Sequence, residues 1–308
     1  MSKNPVNMAA SVRDRLKSIR NRTGQEYNTL LTRYTIERFL YRLSVSEHRS
    51  RFVLKGALLF VLWHESAHRI TRDLDLLGFG GPSPDELTRI LREVCSVPAP
   101  DDGVVFDLES VTAEPIRAQE LYVGIRLAVR ASIGNAVNVM QVDVGFGDAT
   151  ASEPVEVEFP RLLEDMPAAK IRAYRMETTV AEKFDAMLAH GLLNSRMKDY
   201  YDIWFLSRHF SFGGASLAES IQKTCERRGH ALKAAVPGGL SQVFWNDPSR
   251  QALWLSFWRK SVRLEPVIPF PEVAAFAASF LMPPMMAAAQ DRPFSASWKP
   301  GGPWRDDA

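Results

Sequence analysis

Residues 69–77 read Arg69-Ile70-Thr71-Arg72-Asp73-Leu74-Asp75-Leu76-Leu77. Apolar and acidic residues alternate here, the mark of an extended segment in which residues two apart share a side. Leu74 and Leu76 then enter a core, while Asp73 and Asp75 project together on the opposite face. Two carboxylates side by side repel, and without a partner both do not stay ionised at low cost. A divalent cation is one such partner, since Mg²⁺ takes a few carboxylates together with substrate phosphate oxygens. Arg69 and Arg72 on a solvated strand edge are the other, so the Asp-x-Asp tripeptide by itself leaves both readings open.

Upstream, Phe52-Val53-Leu54 is a short apolar run ended by Lys55-Gly56, and Ala57–Trp63 follows as an apolar stretch of about two helical turns. A glycine at such a junction lets the backbone approach a phosphate, and the start of a helix presents free N–H groups. An ordinary strand-to-helix turn has the same composition, and neither GxGxxG nor a P-loop occurs in the chain. Downstream, Ser83–Cys95 is predicted as a helix with Ser83 as cap, Pro84 at its first position and Asp85-Glu86 complementing its dipole. Strands are expected over Val104–Val111, Tyr122–Ala131 and Val137–Val144, with a turn at Gly145–Asp148. Asp143, in the last strand, is the candidate third carboxylate of a metal site.

Residues 9–44 read as two helices, the second over Tyr27–Leu43. From Thr178 onward the pattern is helical, with candidates Val180–Ala189, Asp199–Phe210, Ala215–Arg228, Ser249–Val262 and Phe270–Leu281. The tail Pro293–Ala308, rich in Pro, Gly and charge, is expected to be mobile. Two charged clusters stand out in this half: Ala181-Glu182-Lys183-Phe184-Asp185 and Arg196-Met197-Lys198-Asp199-Tyr200-Tyr201-Asp202-Ile203-Trp204. The aromatic residues through Trp204 imply partial burial, where unpaired charges are costly, so these residues serve a site or a fixed ion-pair network.

The 308 residues amount to about two domains of ordinary soluble composition. No run of 18 apolar residues and no signal-peptide core occur, so a membrane span or secretion is not expected and the cytoplasm is the default. Cys95 and Cys225 lie far apart, which excludes a disulfide framework or a cysteine zinc site. The formal net charge of +2 conceals an asymmetry: residues 1–50 carry ten Lys/Arg against four Asp/Glu, and residues 101–165 carry four against thirteen. The basic end is a candidate RNA-facing surface, or else a set of solvated helix faces.

Four stretches together resemble the AbiEii/AbiGii-type nucleotidyltransferase toxins, within the DNA polymerase β-like superfamily. They are Leu30–Leu43, Phe52–Trp63, Arg69–Gly78 and Thr178–Trp204, and the resemblance covers roughly residues 10–280. It implies an α+β fold, a nucleotidyltransferase-like mixed sheet with flanking helices plus a C-terminal helical domain. The segments are then 1–50 as N-terminal helices packing on the core, 51–165 as the core, 166–290 as the helical domain and 291–308 as tail. The implied activity is Mg²⁺-dependent transfer of a nucleoside monophosphate from an NTP to an RNA, a tRNA 3′ end foremost, by the toxin of a type IV-like toxin–antitoxin pair. The family pattern puts the metal on Asp73 and Asp75, the triphosphate-contacting lysine on Lys183 with Asp185, a catalytic acid on Asp199 and a helix-bracing one on Asp202. Lys55, Gly56, Ala57, Arg196 and Lys198 fall at nucleotide-binding positions; Ala57 replaces the usual Ser, Thr or Gly and removes one phosphate contact. The partner in such systems is an antitoxin, often a winged-helix protein. A kinase-like toxin that phosphorylates its antitoxin or itself, and a catalytically idle binding or regulatory member, remain as alternatives.

Overall fold

A computed structural model describes residues 7–64, 69–81, 83–116, 124–147, 152–262 and 266–306. The chain divides into two compact units, Met1–Asp148 with Pro154–Tyr174, and Ala149–Glu153 with Arg175–Ala308. Segments 1–50 and 51–165 share one core, and residues up to Tyr174 complete its sheet.

The first unit runs α1 (Met8–Thr23), α2 (Tyr27–Val45), β1 (Phe52–Lys55), α3 (Leu59–Trp63), β2 (Asp73–Gly78), α4 (Pro84–Ser96), β3 (Val104–Ile116), β4 (Gly124–Ile133), β5 (Ala136–Gly145), β6 (Val155–Glu158) and β7 (Lys170–Ala173). Its seven strands lie in the order β3-β4-β5-β2-β1-β7-β6. The β2–β5 and β1–β7 pairs are parallel and the others antiparallel, so the sheet is mixed. Alternation along β4 and β5 sends Ile125, Leu127, Val129, Met140, Val142 and Val144 into the core. Ser83 caps α4 as expected, accepting from the Glu86 amide at 3.2 Å, with Pro84 at the first position. Residues 122 and 123, which open an expected strand, and 148, which closes an expected turn, lie outside the described residues.

The charge asymmetry resolves inside this unit. Arg15 pairs with Asp165, Arg49 with Glu156, and Arg42 forks onto Asp102 at 2.6 and 3.3 Å. Arg38 is buried, donates to the Pro167 carbonyl and packs against the Tyr34 and Tyr41 rings. Two basic side chains of the N-terminal helices, Arg15 and Arg42, are thus paired with acids of the 101–165 stretch, as is Arg49 just beyond them.

The second unit holds α5 (Met176–His190), α6 (Met197–His209), β8 (Phe212–Gly213), α7 (Gly214–Arg227), α8 (Gln242–Trp245), α9 (Pro248–Ser261), α10 (Phe270–Ala289), β9 (Ala296–Trp298) and β10 (Trp304–Asp306). Among the described helices α10 alone is long and apolar enough to cross a membrane, yet Val273, Ala277, Phe280 and Leu281 bury at helical spacing in this unit's core. The expectation of a mobile tail gives way to a small antiparallel sheet, β10-β9-β8. Its anchors are aromatic: Trp298 is 1% exposed and donates to the Ser207 carbonyl at 2.7 Å, while Trp304 stacks on Phe280.

Candidate functional site

The β2 strand begins at Asp73, and its alternation is the one expected: Leu74 and Leu76 are buried, Asp73 is exposed and Asp75 half-buried on the other face. Register places Asp75 opposite Lys55 of β1 and opposite Asp143 of β5. Asp143 in turn faces Arg126 of β4, which faces Glu114 of β3. One row of charge therefore crosses five strands: Lys55, Asp75, Asp143, Arg126, Glu114. Adjacent strands lie about 4.8 Å apart, so every member acts directly on the next.

Behind Asp75, β1 is followed by Gly56 at φ +73°, a left-handed conformation that glycine adopts without cost. A Cβ on Gly56 would lie 2.0 Å from Asp75 Oδ2 and 2.6 Å from its Cγ, so the carboxylate rests on bare backbone. A 3₁₀ turn, Gly56–Leu58, then leads into α3, which is only five residues long and shorter than the apolar run suggests. Ala57 is buried in this turn. The Lys55 ammonium sits 5.8 Å from the centre of the Tyr174 ring.

Asp143 lies where a third metal ligand was expected, but its carboxylate is already engaged. Arg126 donates to it through a fork, Nε to Oδ1 at 2.9 Å and Nη2 to Oδ2 at 2.8 Å, and Gln141 Nε2 adds a bond at 3.2 Å. The pairing holds the Arg126 guanidinium well above its ordinary pKa, chiefly through the hydrogen bonds to Asp143. Asp73 and Asp75, hard oxygen donors on one face with one of them against a bare glycine, suit a small divalent cation.

The remaining expected residues lie on the second unit. Lys183 of α5 donates to Asp199 Oδ1 at 3.1 Å and to Asp202 Oδ2 at 2.5 Å, both aspartates being fully buried on α6. Arg196 takes the other Asp199 oxygen at 2.6 Å. Burial pushes the Asp199 carboxyl up, but the cations Lys183, Arg196 and Lys198 more than offset it and hold the group below its ordinary range. With both oxygens committed and no exposed surface, Asp199 braces Lys183 and Arg196 in this structure, as Asp202 braces Lys183. The outer edges of Arg196 and Lys198 are exposed. Asp185 lies two residues beyond Lys183, on another face of α5, where it accepts from His230 Nδ1 at 2.7 Å and Arg228 Nη1 at 3.1 Å.

Arg126, Arg228 and His230 are absent from the sequence reading. Arg126 had a signal, since Arg126, Ala128, Arg130 and Ser132 alternate with Ile125, Leu127, Val129 and Ala131 and place it on the polar face with Asp143. A separate group, Glu47, His48 and Glu93, brings three ligand-type atoms within 4.8 Å of one another. There His48 Nε2 lies 2.7 Å from Glu93 Oε2, and the other Glu93 oxygen accepts from Arg89 Nη1 at 2.6 Å.

The family model described as the nucleotidyl transferase AbiEii toxin of type IV toxin–antitoxin systems matches residues 38–279, which include every candidate residue from Lys55 to Asp202. The chain belongs to the AbiEii family. Membership makes it a nucleotidyltransferase-type toxin of a type IV system, in agreement with the resemblance seen in the sequence. No curated protein matches its sequence. Among solved structures, a proposed nucleotidyltransferase from H. pylori is 17% identical, with 86% of this chain and 95% of that one covered at a TM-score of 0.45. JHP933 from Helicobacter pylori is 15% identical, with 86% and 91% covered at 0.44.

Proposed function

We propose that this AbiEii-family protein is a cytoplasmic toxin that moves a nucleoside monophosphate from an NTP onto an RNA hydroxyl, a tRNA 3′ end foremost. The observation that carries the reading is the Asp73–Asp75 pair on one strand face, with the Asp75 carboxylate seated against Gly56. In the reaction the acceptor hydroxyl gives its proton to solvent water as its oxygen bonds to the α-phosphorus, the bond from that phosphorus to the bridging oxygen breaks, and pyrophosphate leaves with the electron pair. Asp73 and Asp75 would hold Mg²⁺, which supplies charge neutralisation along the triphosphate. Asp75, fixed by its strand register and by Gly56, would present its carboxylate to that ion at a set position, and Lys55 in the same row adds positive charge beside it. Within the second unit, Asp199 and Asp202 hold Lys183 in place, beside Arg196 and Lys198. A cognate antitoxin, of winged-helix type, is the expected protein partner.

Label position tests the chemistry. Incubation with total tRNA and NTP labelled at either the α- or the γ-phosphorus should leave α-label, and no γ-label, in RNA. γ-Label in protein would instead support the kinase-like reading, and no label anywhere would support an idle binding member.

A further inference from the structure

In the strand row, both oxygens of the Asp143 carboxylate carry a charge-assisted bond from a single neighbour. Arg126 occupies Oδ1 and Oδ2 together at 2.9 and 2.8 Å, the bidentate geometry in which guanidinium binds most strongly. Gln141 takes a further position on Oδ1. Asp143 nonetheless lies directly opposite Asp75, one strand away, where an unneutralised pair of carboxylates would repel. Arg126 is itself flanked by Asp73 and Glu114, whose charges also favour its protonated form. A cation arriving at Asp73 and Asp75 therefore meets a third acid that a fixed positive charge already holds.

We propose that Arg126 keeps Asp143 out of the metal's coordination shell, so that the site is built on two carboxylates and Asp143 is a third ligand held in reserve. Arg126 is then a positioning residue that sets the cation affinity. A shell with two protein carboxylates is weak by itself and leaves positions open for triphosphate oxygens, so the cation is retained chiefly when nucleotide is present. The inference rests on the reading of Asp73 and Asp75 as metal ligands.

The test is binding of Mn²⁺ alone to the full-length protein, followed by the electron paramagnetic resonance signal of free Mn²⁺, in a double-mutant cycle. Arg126→Gln should tighten Mn²⁺, because it removes a positive charge and releases Asp143. Charge removal alone does the same, so the deciding quantity is the cost of Asp143→Asn in each background. The proposal expects that cost to be at least about tenfold larger in Arg126→Gln than in wild type. Equal costs in both backgrounds would mean that Asp143 acts only through its charge and would overturn the proposal. So would a wild-type cost as large as that of Asp75→Asn, since Asp143 would then be a ligand already. If no Mn²⁺ binding in any variant depends on Asp75, the underlying metal assignment fails instead. Arg126→Lys, which retains the charge but not the fork, should fall between wild type and Arg126→Gln, and thermal unfolding of each variant confirms that the sheet is intact.

Discussion

Replacing Gly56 by alanine separates a structural glycine from one that seats a functional carboxylate. The residue has φ +73°, so any Cβ there carries about 1–2 kcal/mol of backbone strain. The added methyl would lie 2.0 Å from Asp75 Oδ2, 2.6 Å from Cγ and 2.7 Å from Cβ, all inside contact distance. Because the close atoms include Cβ, a rotation about the side-chain bonds does not relieve the overlap. The Lys55–Asp75 strand pairing also prevents the two backbones from drifting apart. The carboxylate must therefore move by about 1 Å or more, a misplacement that costs an active site on the order of 100-fold in rate. The strain term alone lowers the melting temperature by only a few degrees for a chain of this size. Gly56→Ala should fold, with about 100-fold slower transfer of α-label from NTP to RNA and a KM changed far less than kcat. A variant within about twofold of wild-type activity would refute the seating of Asp75 on Gly56 as a catalytic requirement.

Three further outcomes follow from buried charge. Asp102→Ala should lose about 3–5 kcal/mol by chemical denaturation, because it leaves Arg42 buried and uncompensated and removes the acceptor of the Val104 amide. Glu37 is buried on α2, and desolvation raises its pKa to about 7 against an ordinary 4.5, with Arg33 and the Leu162 amide only partly offsetting. The folded state therefore holds this proton more tightly, so the contribution of Glu37 to stability is fully present below about pH 4.5 and falls by roughly 3 kcal/mol as pH rises through 7. Glu37→Gln should flatten that fall in urea titrations across pH 5–8. Lys183→Ala leaves Asp199 and Asp202 buried without their shared cation and should cost about 3–5 kcal/mol. Lys183→Ala combined with Asp202→Asn should recover much of that stability while remaining inactive in label transfer.

The Asp73–Asp75 face was legible because a strand repeats every two residues, so parity alone assigns each side chain to a face. The longer helices of the second unit were legible from their 3.6-residue period, within four residues at each end except that α10 runs eight residues past the expected Leu281; the four-residue α8 was not. Strands β6 and β7 were not, since four residues carry too little periodicity and β7 pairs with β1 from more than a hundred residues away. The tail was misjudged from its Pro, Gly and charge; Trp298 and Trp304, two large apolar side chains in a polar segment, were the residues that bind it to α10. Alternation could place Arg126 and Asp143 on one face, but only register brings them opposite each other, and register depends on turns and packing between strands. The charge balance likewise needed the fold. Arginines of the first fifty residues and acids of 101–165 neutralise one another across long sequence separations.

The most direct test of the central claim compares wild type with Asp75→Asn, an isosteric change that removes one charge from the strand row. Transfer of α-label from NTP to total tRNA is measured with Mg²⁺ and after chelation by EDTA, with thermal unfolding as a check on the fold. Wild type should label RNA only with Mg²⁺ present, and Asp75→Asn, equally folded, should give no label in either condition. Equal labelling by the two proteins would contradict the account.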